Sequence, residues 1–213
     1  MKWNIPNQLT VGRVFLSIAF FVLLGCYMPG SAAGPWLLNA AFIIFVLAGI
    51  TDFLDGYLAR KLNQTSTFGR IVDPFVDKVL VVGAFAMLAG SNFAIQGGTT
   101  DEQLPAWLTG GMATAVQAWM VVAVLAREFV VSAIRGYSES QGISFPATYS
   151  GKIKMIVQLV AIGTVLFQLA NVAQPLWAVW LKVILVWLSV AVTVLSGLTY
   201  VHKAADLLKG DLA

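Results

Sequence analysis

Six apolar stretches divide this chain, each of them long enough to form a membrane-spanning helix, which needs about 20 predominantly apolar residues. Only 11% of the 213 residues are charged, whereas a soluble domain carries about 25%. We therefore expect an all-α integral membrane protein, with one membrane domain over residues 1–213. The predicted transmembrane helices are at about 9–28, 35–60, 69–91, 106–137, 150–171 and 176–202.

The positive charges flank alternate connections between these stretches. Cations lie at the start of the first stretch, around the second and fourth connections, and after the sixth stretch. The first and fifth connections carry no charge, and the third carries only Asp101 and Glu102. Because cytoplasmic loops are enriched in Lys and Arg, both termini are predicted to be cytoplasmic. Lys182 is the exception, and we expect its side chain to extend to the outer surface. No Lys- or Arg-rich run is present, so nucleic-acid binding is not expected.

Four of the seven aspartates lie within the 26 residues that end one apolar stretch and begin the next. A carboxylate at a membrane edge is costly unless it is paired, hydrated or bound to a metal. Asp52 and Asp55 are three residues apart and Asp73 and Asp77 are four apart, so on helices each pair shares one face. The short connection at 61–68 is expected to bring the two pairs opposite each other. Four carboxylates in this arrangement would suit two divalent cations, Mg²⁺ or Mn²⁺, in a site for phosphoryl transfer.

The residues between the two pairs fit a ligand that carries phosphate. Gly56 and Ala59 remove bulk from one helix face, so that a ligand can approach the backbone. Arg60 can form paired hydrogen bonds with phosphate oxygens. The hydroxyls at 65–67, including that of Ser66, can cap the following helix or donate to a phosphate.

These residues alone leave two other interpretations open. Aspartates at membrane edges can act only as anchors. Ion transporters also use intramembrane carboxylates, although transport favours carboxylates near mid-membrane and helices broken there.

The spacing Asp-x2-Asp-Gly-x2-Ala-Arg-x8-Gly-x3-Asp-x3-Asp over 52–77 resembles the signature of the CDP-alcohol phosphotransferase family, with every defined position present. The resemblance implies a six-helix membrane enzyme, commonly a homodimer, with two divalent metal ions. The distribution of cations predicts that its active site faces the cytoplasm, and we expect it in the inner (cytoplasmic) membrane. Such enzymes transfer a phosphatidyl or related group from a CDP-linked donor to an acceptor hydroxyl and release CMP.

The same resemblance implies roles for individual residues. The metal ligands correspond to Asp52, Asp55, Asp73 and Asp77, and Asp77 also corresponds to the general base. The positions that contact the CDP part of the donor correspond to Asn7, Thr10, Gly56, Arg60 and Ser66. For Asn7, an N-cap of the first helix is the alternative.

Stretches at 4–13, 127–135 and 151–158 resemble the bacterial members whose acceptor is sn-glycerol 3-phosphate. The implied reaction joins this acceptor to the β-phosphorus of CDP-diacylglycerol, giving phosphatidylglycerophosphate and CMP. A phosphorylated acceptor needs its own cations, and we expect Arg127, Arg135 and Lys152, near Lys154, to bind its phosphate. Anchoring at the membrane surface is the other reading of these cations. Inositol phosphate or phosphatidylglycerol would be an alternative acceptor for the same donor.

Overall fold

The computed structural model describes residues 5–61, 67–95, 104–141 and 149–210. Within these ranges, side chains are not described at 5–6, 53–61, 67–71, 73–74, 106, 149–150, 203 and 206–210. The described backbone forms a short 3-10 turn, Ser91–Phe93, and seven α-helices: α1 (Ile5–Gly25), α2 (Gly34–Lys61), α3 (Thr67–Leu88), α4 (Ala106–Thr109), α5 (Ala118–Ser140), α6 (Tyr149–Asn171) and α7 (Leu176–Gly210).

The six long helices pack into a closed bundle. Helix α1 lies against α2 and α3, α2 packs on α6, α6 on α7, α7 on α5, and α5 on α3. Hydrogen bonds join the start of α1 to the end of α2 and the end of α5 to the end of α7. One end of the bundle therefore gathers the starts of α1, α3 and α6 and the ends of α2, α5 and α7. We call it the charged end, because it holds Arg13, Asp52, Asp77, Arg127 and Lys154.

Large apolar side chains lie both inside the bundle and on its outer surface. The core is built from fully buried residues such as Phe20, Phe45, Phe85 and Leu166. By length and composition, four of the described helices can cross a membrane: Asn7–Gly25, Gly34–Asp52, Gly151–Asn171 and Leu176–His202. Helices α3 and α5 carry more charge; α5 alone contains Arg127, Glu128 and Arg135. The prediction of an all-helical membrane protein is confirmed at this level.

Exposed tryptophans mark the opposite end of the bundle, which we call the aromatic end. They stand at the starts of α2, α5 and α7 and on α4, and indole rings favour the interface between lipid and water. These residues are Trp36, Trp107, Trp119, Trp177 and Trp180.

The fourth predicted transmembrane helix, 106–137, is wrong at its start. Helix α4 ends at Thr109, and Gly110 and Gly111 adopt φ values of 63° and 71°. The chain then turns back to the segment before it: the N–H of Ile95 donates to the carbonyl of Gly111 at 2.9 Å, and the N–H of Ala113 to that of Phe93 at 2.8 Å. These bonds replace helical ones, so the long helix begins only at Ala118.

The expected position of Lys182 is also wrong. Its side chain is only 3% exposed, and its Nζ donates to Oε1 of Gln174 at 2.6 Å. Gln174 in turn donates through Nε2 to the carbonyls of Gln168 and Val172, at the end of α6. The ammonium group therefore lies close to a helix C-terminus, where the helix dipole favours a cation.

Helices α1 and α3 approach closely at Gly83. A Cβ atom at this position would lie 2.5 Å from Cζ of Phe21 on α1. The missing side chain therefore lets the aromatic ring pack directly on the backbone of α3, as small residues do between membrane helices.

We expect Gly83→Ala to lower the free energy of unfolding by about 1–3 kcal/mol, because Phe21 would have to shift within a packed interface. Thermal unfolding of the purified protein in detergent measures this. Gly136→Ala is the matched control, since nothing lies within 4 Å of a Cβ there. Equal unfolding midpoints for the two variants would contradict the close-packing argument.

Candidate active site

A cavity of about 250 Å³ opens at the charged end, between α3, α5, α6 and α7. Five cationic and two anionic side chains line it, leaving a net charge of +3. We call it the charged cavity. Its charged lining residues are Asp77, Lys78, Arg127, Glu128, Arg135, Lys152 and Lys154.

Glu128 of α5 organises the cations around itself. It is 8% exposed and accepts hydrogen bonds from Nη1 of Arg127, at 3.1 Å, and from Nζ of Lys154 on α6. Both cations are themselves largely buried, so the carboxylate offsets part of the cost of removing them from water. One carboxylate between two cations still leaves a positive excess on the cavity wall.

Helix α3 joins the same network through Lys78. Its Nζ donates to Oγ of Ser132 on α5, and the hydroxyl of Ser132 donates to the backbone carbonyl of Glu128. Lys78 directly follows Asp77, so this contact also fixes the part of α3 that carries the aspartate.

Helix α1 supplies a second buried ion pair. One face of α1 is buried at Asn7, Thr10, Arg13 and Ser17, which recur every three to four residues. Arg13 is 1% exposed and donates through Nη1 to Oδ1 of Asp52, near the end of α2. The pair connects α1 to Asp52, the first of the four aspartates in the signature at 52–77.

The profile of the CDP-alcohol phosphatidyltransferases matches residues 3–195 of this chain. The chain belongs to this family. Curated relatives resemble it over almost their whole length. The CDP-diacylglycerol–glycerol-3-phosphate 3-phosphatidyltransferase of Bacillus subtilis (strain 168) is 31% identical over 213 residues, covering 97% of this chain and 98% of the relative. Proteins of the same name from Shigella flexneri serotype 5b (strain 8401) and Escherichia coli (strain K12) are each 34% identical over 211 residues, covering 98% of this chain and 99% of the relative.

The family membership confirms the resemblance drawn from the aspartate signature, and the described part of that signature lies at the charged end. Asp77 lines the charged cavity, and it lies within electrostatic reach of Asp52, Arg13 and Lys154. Asp55, Gly56 and Arg60 belong to the last turns of α2 and Asp73 to α3, but their side chains lie outside the described residues, as does all of Ser66.

A divalent metal, which enzymes of this family generally use, fits the chemistry of the described donors. Asp52 and Asp77 offer carboxylate oxygens, the ligands that hard divalent cations prefer. Among the residues whose side chains are described, no three or more His, Cys, Asp or Glu residues cluster. The other two aspartates of the signature, Asp55 and Asp73, lie outside that set.

The residues expected to hold the acceptor come together as the spacing indicates. Arg127 and Arg135 share one face of α5, and Lys152 and Lys154 reach the same cavity from α6. Asn7 and Thr10 are buried on α1, near the charged end. Because α1 already includes Ile5, Asn7 is not its N-cap, and the capping alternative is wrong.

Three residues of the site were missed by the sequence reasoning. Arg13 was assigned to the start of a transmembrane helix and to the stretch at 4–13 without a partner, although a charge inside an apolar run signals one. Lys78 was overlooked beside Asp77. Tyr200, from the last helix, lines the charged cavity and gives no signal in the sequence that separates it from a core tyrosine.

The Glu128–Lys154 pair predicts non-additive effects on stability. Glu128→Gln and Lys154→Met should each destabilise the protein, because each leaves a buried charge without its partner. The double variant should be less destabilised than the two single effects together, by on the order of 0.5–3 kcal/mol. Chemical unfolding in detergent, run as a double-mutant cycle, measures this coupling.

The matched control combines Glu128→Gln with Lys182→Met. Lys182 is a buried cation bonded to Gln174 rather than to Glu128, so these two effects should add. If the destabilisations of Glu128→Gln and Lys154→Met also add fully in the double variant, the contact between these two residues carries no coupling energy.

Proposed function

We propose that this chain transfers a phosphatidyl group from CDP-diacylglycerol to sn-glycerol 3-phosphate, giving phosphatidylglycerophosphate and CMP in phospholipid biosynthesis. The observation that carries the proposal is the charged cavity beside Asp77, in a chain that matches relatives of that printed activity over nearly their full length. The cavity supplies the physical reason for a phosphorylated acceptor, which the names of those relatives also specify.

The cavity suits a small dianionic acceptor. Its volume of about 250 Å³ lies below the roughly 300–1,000 Å³ of sites for drug-sized ligands. Its net charge of +3 would be costly without an anion to face it. In addition, Nε of Arg135 is buried without a hydrogen-bond partner among the described residues. A phosphate bound by Arg127, Arg135 and Lys152 would satisfy that donor and offset the charge.

In our proposal the donor lies on the α2 and α3 side of the charged end. Asn7, Thr10, Gly56, Arg60 and Ser66 would bind its CDP part. Asp52, Asp55, Asp73 and Asp77 would hold two divalent ions, Mg²⁺ or Mn²⁺, which when bound neutralise charge on the pyrophosphate oxygens.

The chemical step needs a nucleophile, a base and a leaving group. The acceptor hydroxyl oxygen forms a bond to the β-phosphorus, and the bond from that phosphorus to the oxygen bridging the two phosphates breaks. CMP leaves with the bridging oxygen. Asp77 takes the proton of the hydroxyl, and the electron pair of the broken bond leaves as negative charge on the departing oxygen of CMP.

We further propose six transmembrane helices in a single membrane domain over residues 1–213, with both termini and the charged end facing the cytoplasm. The bundle has its cations at the charged end and exposed tryptophans at the opposite end. This supports the orientation, since Lys and Arg are enriched on the cytoplasmic side. We also propose the inner (cytoplasmic) membrane as its location and a homodimer as its assembly, as in the family. A water-soluble acceptor and a membrane-anchored donor would then meet at one interface.

Purified protein in detergent should release CMP from CDP-diacylglycerol only when sn-glycerol 3-phosphate and Mg²⁺ or Mn²⁺ are present. The measurement is CMP formation across a panel of acceptors that also contains inositol phosphate, phosphatidylglycerol and serine. Faster turnover with another acceptor would overturn the choice of glycerol 3-phosphate. No CMP release with any acceptor would overturn the transferase reading.

Asp77→Asn should lower kcat by at least about 100-fold, because the amide cannot accept the proton. Binding of CDP-diacylglycerol, measured separately, should persist. Glu139→Gln is the control, since Glu139 is an exposed acid at the end of α5. Turnover by Asp77→Asn close to that of the control would remove Asp77 from the role of base.

A further inference from the structure

Helix α7 presents a buried polar face to the two arginines of α5. Ser189, Thr193, Ser196 and Tyr200 recur every three to four residues, which places them on one face of the helix. All four are at most 3% exposed. Two of them, Ser196 and Tyr200, lie beyond residue 195, where the match to the family profile ends.

The hydroxyls on this face are oriented as acceptors. Thr193 and Ser196 use their own protons within the helix, donating to the carbonyls of Ser189 and Thr193 at 2.6 and 2.9 Å. Their oxygens are therefore left to accept from outside. Ser196 accepts from Nε of Arg127 at 3.2 Å, and Thr193 accepts from Nε2 of Gln158 at 2.9 Å.

Tyr200 contacts both arginines at once. Its ring centroid lies 5.6 Å from Cζ of Arg127 and 5.4 Å from Cζ of Arg135, within the range of cation–π attraction. Its hydroxyl accepts a hydrogen bond from Nη2 of Arg135 at 2.7 Å. Two neighbouring guanidinium groups repel each other, and the negative face of a shared ring offsets part of that repulsion.

Gly197 makes room for this arrangement. A Cβ at Gly197 would lie 2.9 Å from Cγ of Arg127, so the aliphatic part of that side chain runs directly over the backbone of α7. A larger residue would displace the stem of Arg127 and with it the guanidinium group that points to the cavity.

We propose that Tyr200 is a positioning residue for the acceptor phosphate, holding Arg127 and Arg135 side by side as a preformed pair. The inference rests on the proposed function and adds to it the role of the last helix. Tyr200 does not take part in the chemical step. By fixing two guanidiniums before the acceptor arrives, it lowers the cost of ordering them on binding and so favours acceptors that carry a phosphate.

The test separates binding of the acceptor from binding of the donor. Tyr200→Leu removes the ring and the hydroxyl, and Tyr200→Phe removes only the hydroxyl. We expect the leucine variant to raise the KM for sn-glycerol 3-phosphate by about tenfold or more, from the loss of two cation–π contacts and a charged hydrogen bond. The phenylalanine variant should recover much of this loss, and the KM for CDP-diacylglycerol should stay unchanged in both.

Inorganic phosphate provides a second readout that a general structural defect would not move. It should compete with the acceptor in the wild type, and its inhibition constant should rise in Tyr200→Leu in parallel with the acceptor KM. Tyr137→Phe and Tyr137→Leu are the matched controls, because Tyr137 lies on α5 but is 57% exposed. Both controls should leave the two constants unchanged.

If Tyr200→Leu fails to fold, Gly197→Ala tests the same arrangement by displacing Arg127. It should raise the acceptor KM without changing the donor KM, whereas Gly136→Ala should change neither. The inference alone would be overturned if the wild type is active and all three variants, Tyr200→Phe, Tyr200→Leu and Gly197→Ala, keep the acceptor KM of the wild type. Absence of turnover in the wild type would instead overturn the proposed function. Equal increases in the KM values of acceptor and donor would also overturn the inference, because the effect of Tyr200 would then not be specific to the acceptor phosphate.

Discussion

The contact of Glu128 with Arg127 and Lys154 is the interaction on which the charged end depends. Three buried ionisable groups meet there, from two helices, in a bundle whose remaining interior is mostly apolar. Isolated, each charge would be costly in such surroundings; together, they satisfy one another and leave a positive excess facing the cavity. The pair of Arg13 with Asp52 repeats this solution on α1 and α2. The ion pairs that join the helices at this end therefore also set the charge of the cavity.

The division between the two ends of the bundle is visible along a single helix. The buried face of α1 is polar at Asn7, Thr10 and Arg13 and becomes apolar at Phe20 and Leu24. A helix of this composition buries polar groups only where other helices bring partners for them. Between the two ends lies a cluster of buried apolar side chains to which all six long helices contribute.

Much of this architecture could be predicted, because it depends on local patterns. Apolar length predicted α2 and α6 almost to the residue, and the aspartate spacing predicted the family. The break before α5 was not predicted, because apolar composition does not reveal that Gly110 and Gly111 turn the chain back to Phe93 and Ile95.

The partners of individual charged residues were not predicted either, because they are far apart in the sequence. Arg13 and Asp52 are 39 residues apart, and Arg135 and Tyr200 are 65 apart. One sequence does not show which residues form such pairs, so the partner of Arg13 was not predicted and the side chain of Lys182 was expected to extend to the outer surface. Arg127 and Arg135 could be placed together because their spacing of eight residues is a property of one helix.

The length of α7 has a consequence for the membrane around the protein. Its 35 residues span about 50 Å, whereas the hydrocarbon core of a bilayer is about 30 Å thick. A helix that exceeds the membrane in this way adapts to bilayer thickness by tilting or by extending into the aqueous phase. Ser196, Gly197 and Tyr200 lie in its second half and contact the arginines of the cavity, so a tilt of α7 would move these contacts. The thickness of the surrounding lipid layer is thereby linked mechanically to the geometry of the charged cavity.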